Sequence, residues 1–317
     1  MIINFNFSEN MESKESFKVS IVGCGNVGAT MAYAMVLDGT PTDLALIDID
    51  ADRANGLLLD LDHSLSFTPY TKLESSDDMA ICKGSKLVVV TAGARQREGE
   101  TRLDLIAKNR AIFETIIPKI AKAAPDTLLL IVSNPVDVLT LEALKLSGFP
   151  KSRVFGSGTL LDTARFQFHI SEKLDVHPSS VNAFILGEHG DSSFPVYSSA
   201  DIAGAPLRDM PEFTKEIEKE CYEDTKNAAY RIIHDQGYTC YSISTAVLQI
   251  MKAIFEDSNE VFPLSTLLED YYGHSDVALS LPCVLGRKGI ERQILTPLDE
   301  KEKELLKNSV DTLKGYQ

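Results

Sequence analysis

The stretch that most constrains this chain lies near its start. Phe17 to Val22 is a β-rich run that ends in Gly23-Cys24-Gly25-Asn26-Val27-Gly28, and Ala29 to Leu37 has helix character and stops at Gly39 and Pro41. Leu44 to Ile47 is a second apolar run, closed by Asp48, 20 positions after Gly28. Strand, G-x-G-x-x-G, helix, strand and acid is the order of a βαβ unit that binds a dinucleotide. The glycines permit the tight turn, bring a pyrophosphate against backbone N–H groups at the helix N-terminus, and let helix and strand pack closely. Asp48 would accept from a ribose 2′-hydroxyl and repel a 2′-phosphate. NAD is therefore preferred to NADP, and Arg53 is the one nearby cation that tempers the preference. The bland alternative is a glycine-rich turn with no ligand.

The alternation continues beyond this unit. Lys86 to Thr91 and Leu128 to Val132 read as buried strands, with a helix from Leu103 to Ala123 between them and another from Val136 to Leu146, ended by Gly148 and Pro150. Strands alternating with helices give a Rossmann-type α/β fold, a doubly wound parallel sheet whose ligands bind at the carboxyl ends of the strands. Gly23, Asp48, Gly93 and Asn134 fall at such ends. With Gly25, Asn26, Val27, Gly28, Arg53, Thr91, Ala94, Val132 and Ser157 they make up the candidate cofactor contacts in this half. From Ser157 the rhythm changes. Helices are expected over 160–174, 211–234, 240–255 and 297–314, and strands over 181–186, 261–267 and 277–285, an α+β arrangement. The chain thus divides into an N-terminal arm (1–16), a dinucleotide-binding domain (17–156) and a substrate or catalytic domain (157–317).

Length and charge narrow the partners. A chain of 317 residues can bury two cores, and its apolar runs are too short to span a bilayer. A formal net charge of −15 repels nucleic acid and anionic lipid, so neither is a partner, and an anionic substrate must be met by local cations. The 5 cysteines (24, 82, 221, 240 and 283) are odd in number and lack metal-like spacing. They read as reduced packing groups in a soluble, cytoplasmic protein with no metal.

Chemistry is expected at Leu186-Gly187-Glu188-His189-Gly190-Asp191, directly after an apolar strand. A histidine between glycines at a strand end can exchange a proton near neutral pH, although a turn histidine bonded to its neighbours is the commoner fate of such a residue alone. Other stretches add to it. Gly93-Ala94-Arg95-Gln96-Arg97-Glu98-Gly99-Glu100-Thr101-Arg102-Leu103 carries its cations between a strand and a helix, and alone would be a solvated loop. Taken with Ser133-Asn134-Pro135-Val136-Asp137, Leu161-Asp162-Thr163-Ala164-Arg165 and Gly187-Glu188-His189-Gly190-Asp191, it resembles the L-lactate dehydrogenases of the lactate/malate dehydrogenase superfamily. The similarity runs from about residue 17 to the C-terminus.

The resemblance implies a role for each residue. His189 gives its proton to a ketone oxygen as hydride arrives from the nicotinamide, and Asp162 accepts from its other ring nitrogen. Arg165, at i+3 from Asp162, holds the substrate carboxylate in two parallel hydrogen bonds. Arg102 comes down with its loop to polarise the ketone and exclude water, and Asn134 donates to the substrate oxygen or orients the nicotinamide. Thr239, beside the substrate methyl, and Ile243, against the nicotinamide ring, would share one helical face at i and i+4.

Gln96 occupies the place where malate enzymes carry an arginine for a second carboxylate. A neutral amide leaves that carboxylate unpaired, so pyruvate/lactate is expected as the 2-oxo/2-hydroxy acid pair. A one-residue slip would put Arg97 there and give the alternative, a malate or other L-2-hydroxy acid dehydrogenase. Many bacterial relatives bind fructose 1,6-bisphosphate through an arginine and a histidine at the places held here by Gln167 and Asn182, so the resemblance implies little activation. It also implies a homotetramer built through the long helices. The rival class is a non-catalytic NAD-binding protein.

Overall fold

The structure, a computed structural model, describes residues 16–94 and 99–316. The arm residues 1–15 and the specificity candidate Gln96, with Arg97, lie outside the described residues. The first half runs β1 (Lys18–Val22), α1 (Asn26–Asp38), β2 (Asp43–Ile47), α2 (Ala51–Ser64), β3 (Lys72–Ser76), β4 (Leu87–Val90), α3 (Arg102–Ala123), β5 (Leu128–Ile131), α4 (Val136–Ser147) and β6 (Val154–Gly156). β1, β2, β4 and β5 are apolar and almost wholly buried, as strands covered on both faces must be. All the pairings among β1 to β6 are parallel, in the order β6-β5-β4-β1-β2-β3.

The second half runs α5 (Leu160–Leu174), β7 (Val181–Leu186), β8 (Phe194–Ile202), β9 (Ala205–Pro206), α6 (Lys215–Gln236), α7 (Tyr241–Glu256), β10 (Glu260–Leu267), β11 (Ala278–Gly286), β12 (Gly289–Gln293) and α8 (Glu300–Lys314). It does not keep its strands to itself. β10 pairs antiparallel with β6 through Ser265 and Gly156, and β11 and β12 follow, so one mixed sheet of nine strands spans both halves. Only β7, β8 and β9 form a separate antiparallel sheet. The largest apolar core likewise takes in residues from β1, α1, β4 and β5 together with α7, β10, β11 and α8.

Three expected boundaries move. The helix expected from residue 211 starts at Lys215, because the Thr214 side chain accepts from Ile217 N–H and caps it, and the final helix starts at Glu300, where Asp299 and Glu302 make a reciprocal capping box. The expected face shared by Thr239 and Ile243 is also wrong. α7 begins only at Tyr241, with Cys240 at its cap, so Thr239 belongs to the turn after Gly237 while Ile243 lies on the helix. All five cysteines are free and buried, and burial pushes the Cys24 and Cys283 thiols up to about 12, which leaves them unreactive packing groups.

Candidate active site

The G-x-G-x-x-G turn is built as close packing demands. Gly23 has φ +107°, a conformation that suits glycine, and a Cβ on Gly28 would stand 1.9 Å from the Gly23 carbonyl oxygen. Thr91 Oγ1 donates to that same carbonyl at 2.7 Å, joining the end of β4 to the turn. Gly25, by contrast, faces open space. It caps α1 without any side-chain hydrogen bond, so no capping oxygen from its side chain meets the first N–H groups of the helix. Asn26 is exposed there, and Val27 is tied to α7, the helix that carries Ile243, by Ser244 Oγ donating to its carbonyl at 3.3 Å.

Asp48 follows β2 beside the glycine turn. Its Oδ2 accepts from Cys24 N–H at 2.7 Å and its Oδ1 from Asp50 N–H at 3.0 Å, which orients the carboxylate and leaves a lone pair on each oxygen for a ribose hydroxyl. Arg53, exposed in the first turn of α2, makes a 3.9 Å contact from Nε to Asp50. Gly93, Ala94, Val132, Asn134 and Ser157 follow at the ends of β4, β5 and β6. An uncapped helix N-terminus, a glycine facing open space and a fixed acid are a donor set that fits a dinucleotide.

Asn109 of α3, fully buried, holds two of these strand ends together. Its Oδ1 accepts from Ala94 N–H at 2.7 Å and its Nδ2 donates to the Asn134 carbonyl at 2.7 Å. Asn134 is exposed, and its bond to Pro135 is cis. Ser157 N–H donates to the Ile131 carbonyl at 2.8 Å, and Val132 N–H to the Val90 carbonyl at 2.9 Å.

His189 follows β7, with its side chain 28% exposed. Nδ1 meets Asp162 Oδ2 at 2.6 Å, and the other Asp162 oxygen accepts from Arg165 Nη1 at 3.0 Å. Asp162 lies in the first turn of α5 but does not cap it, since Thr159 holds the cap position. Asp162, Arg165 and His189 thus form one chain of contacts, the first two sharing a helical face at i+3 and the third joined as the resemblance implies. Burial opposes a charged ring, but Asp162, with Asp137 behind it, outweighs that cost and holds the imidazole above its ordinary pKa. Burial likewise works against the Asp162 carboxylate, and the His189 and Arg165 charges hold it below its usual range.

Arg102 is placed differently from the loop position expected of it. It is the first residue of α3, behind the Thr101 cap, and its Nη2 pairs with the fully buried Glu188. Its guanidinium carbon lies 5.1 Å from the centre of the Tyr316 ring. A Cβ added to Gly190 would stand 2.9 Å from Arg102 Nη2, so the guanidinium lies against the residue that follows His189. A buried carboxylate attracts the cation more strongly than solvent does, which explains the placement. Thr239 is half-buried in the turn between α6 and α7.

Comparison with known proteins settles the family. The description "lactate/malate dehydrogenase, NAD binding domain" matches residues 17–156, and "lactate/malate dehydrogenase, alpha/beta C-terminal domain" matches residues 159–316. The chain belongs to the lactate/malate dehydrogenase family. Among curated proteins it is 43% identical over 310 residues to the L-lactate dehydrogenase of Clostridium botulinum (strain Hall), covering 96% of this chain and 97% of that one. It is also 43% identical over 303 residues to that of Bifidobacterium animalis subsp. lactis, covering 94% and 95%. Among crystal structures, MGS-M5, a lactate dehydrogenase from a Medee basin deep-sea metagenome library, superposes with a TM-score of 0.92 at 40% identity, covering 96% of this chain and 98% of that one. The minor L-lactate dehydrogenase of Enterococcus mundtii also gives 0.92, at 36% identity with the same coverage.

This member of the lactate/malate dehydrogenase family also has residues at its site that sequence reasoning left without a role. Asp137 of α4 is buried, and its Oδ2 accepts from His189 N–H at 2.7 Å. Glu188 accepts from Ser192 as well as Arg102, and its own N–H donates to Ser309 Oγ on α8 at 2.6 Å. Glu188, Asp137 and Asn109 all stood in or near quoted motifs. Only their charge or amide at an otherwise apolar place could have marked them.

Proposed function

We propose that this protein is an NAD-dependent L-lactate dehydrogenase that interconverts pyruvate and L-lactate, with His189 as acid and base. The observation that carries the reading is the Arg165–Asp162–His189 chain, with His189 partly exposed beside the strand ends where a dinucleotide fits. When bound, NADH supplies the hydride and NAD takes it back. In the reducing direction the protonated His189 delivers its Nε2 proton to the carbonyl oxygen, while Asp162 at Nδ1 fixes the ring's orientation and stabilises its charge. Arg165 already gives one donor to Asp162 and offers its remaining fork to the substrate carboxylate. Arg102 leaves Glu188 to reach the developing charge on oxygen, a move of one side chain at the head of α3. Asn134 and Thr239 contact the substrate. The glycine turn, Asp48, Thr91, Val132, Ser157 and Ile243 contact the cofactor.

Absorbance of NADH with pyruvate, oxaloacetate and a branched 2-oxo acid tests the reading. Pyruvate is expected to have the highest kcat/KM, and equal or better turnover of oxaloacetate would overturn it. Gln167 Nε2 donates to the Ala183 carbonyl at 3.2 Å and Asn182 Nδ2 to Asp201 at 2.7 Å, so both neutral groups already have partners. Fructose 1,6-bisphosphate should accordingly leave the rate unchanged in the same assay. We further propose a cytoplasmic homotetramer, and sedimentation would test the assembly.

A further inference from the structure

We infer that Asp137 is a second positioning carboxylate for His189, gripping its main chain from the nucleotide-binding half and supporting the charge of its ring. This rests on the acid–base role proposed for His189. Asp137 lies in the first turn of α4, buried, and neither Asp162, Arg165 nor any residue of the G-x-G-x-x-G turn hydrogen-bonds to its side chain among the described residues. Its two oxygens are divided between elements far apart in sequence. Oδ2 accepts from His189 N–H at 2.7 Å, in the loop after β7, and Oδ1 accepts from Ser265 Oγ at 2.6 Å, on β10. One side chain therefore ties α4, β10 and the His189 loop at a single point. No other hydrogen bond to the main chain of His189 comes from a side chain among the described residues.

The electrostatics run the same way. Burial pushes the Asp137 carboxyl up to about 6, against the hydrogen bonds from Ser265 and His189, so it is largely ionised at neutral pH and adds negative potential beside the imidazole. The other groups facing this pocket are few. Asp162 and Arg165 come from α5, one supporting and one opposing the imidazolium, and Glu188 lies on the loop itself with its charge met by Arg102 from α3. Arg110 of α3 lies 3.8 Å from Glu142 of α4, and these two, with Lys145, line the small cavity behind Asp137. Asp137 and Asp162 thus act on His189 at different atoms, one at the backbone N–H and one at the ring.

Asp137→Asn tests this directly. The amide oxygen can still accept from His189 N–H, and the amide nitrogen can donate to Ser265 Oγ, so geometry survives while charge is lost. The His189 ring should then titrate about one unit lower, read by NMR of histidine-labelled protein without cofactor. The alkaline limb of pyruvate reduction should move down with it, with NADH affinity unchanged. Titration and pH profile superimposable on wild type would overturn the inference. Should that variant not fold, Ser265→Ala removes the donor that favours ionised Asp137, and a smaller shift in the same direction is expected; none would overturn it. His189→Asn separates the two claims. A variant that still turns over refutes the acid–base role itself, whereas a dead one beside an unshifted Asp137→Asn refutes only the role of Asp137.

Discussion

His189 meets Asp162 at its ring and Arg165 stands behind that carboxylate, so the sign of any charge change here can be worked out. Asp162→Asn removes the nearest negative charge and the acceptor at Nδ1. The imidazolium is then less stable, and the ring's pKa, now held above its ordinary value, falls. Pyruvate reduction needs the protonated ring, so its rate at neutral pH should drop, approaching about tenfold per further unit once the ring's pKa lies below the assay pH, and its alkaline limb should move to lower pH. Lactate oxidation needs the neutral ring, so its acid limb should move the same way. Steady-state pH profiles in both directions check this, and limbs that stay in place would remove Asp162 from the mechanism. Gln96→Arg should move kcat/KM from pyruvate toward oxaloacetate, because a cation there pairs the second carboxylate. An unchanged ratio of the two would place residue 96 outside the pocket. The Asp162–Arg165 contact was legible because i+3 spacing on a helix fixes which side chains meet. The pairing of Glu188 with Arg102 and of Asp137 with His189 was not, since each joins residues far apart in sequence and depends on what the fold buries.

The turn between β1 and α1 separates packing from binding within a single element. Gly28 has no room, with its added Cβ 1.9 Å from the Gly23 carbonyl, whereas the Cβ of an alanine at Gly25 meets nothing within 4 Å and the backbone there has an ordinary φ of −72°. Gly28→Ala should therefore cost stability, about 1–3 kcal/mol as overpacking does. Gly25→Ala should melt within a degree or two of wild type, yet bind NADH several-fold more weakly because its methyl intrudes where backbone N–H groups meet phosphate. Thermal melts and NADH fluorescence titrations distinguish the two. Equal melting with equal affinity would mean that the cleft at Gly25 holds no pyrophosphate. Such elements read well from sequence because glycine spacing and apolar runs are local. α2, β3 and β12 escaped notice: β3 (Lys-Leu-Glu-Ser-Ser) and β12 form the two edges of the sheet and carry little apolar signal, and α2 presents mostly polar residues to solvent. Thr239 was misplaced for another reason: a helical face shared with Ile243 conflicts with a helix expected to begin only at residue 240, and the structure leaves Thr239 between the Gly237 stop of α6 and the Cys240 cap of α7.

The two halves that sequence rhythm separates are one body in their packing. Met31, Met35 and Val36 of α1 share a buried core with Val247, Ile250 and Ile254 of α7, and the Phe17 and Phe255 rings meet edge to face at 5.1 Å. β6 is completed by β10, and Asp137 of the first half holds the main chain of His189 in the second. A cut after Gly156 would expose that helix face, leave β6 as a bare edge and strip the partners from Asp137. Each large side chain returned to water loses about 1.5–3 kcal/mol, so a few of them match the 5–15 kcal/mol that typically separates folded from unfolded domains. Residues 17–156 made alone should therefore give no cooperative melt, bind a hydrophobic dye and fail to bind NADH. The whole chain should unfold in one transition, with NADH binding and far-UV dichroism lost together. A fragment that melted cooperatively and bound NADH would show instead that the nucleotide half carries its own stability, and that the shared sheet serves only to bring His189 to the cofactor.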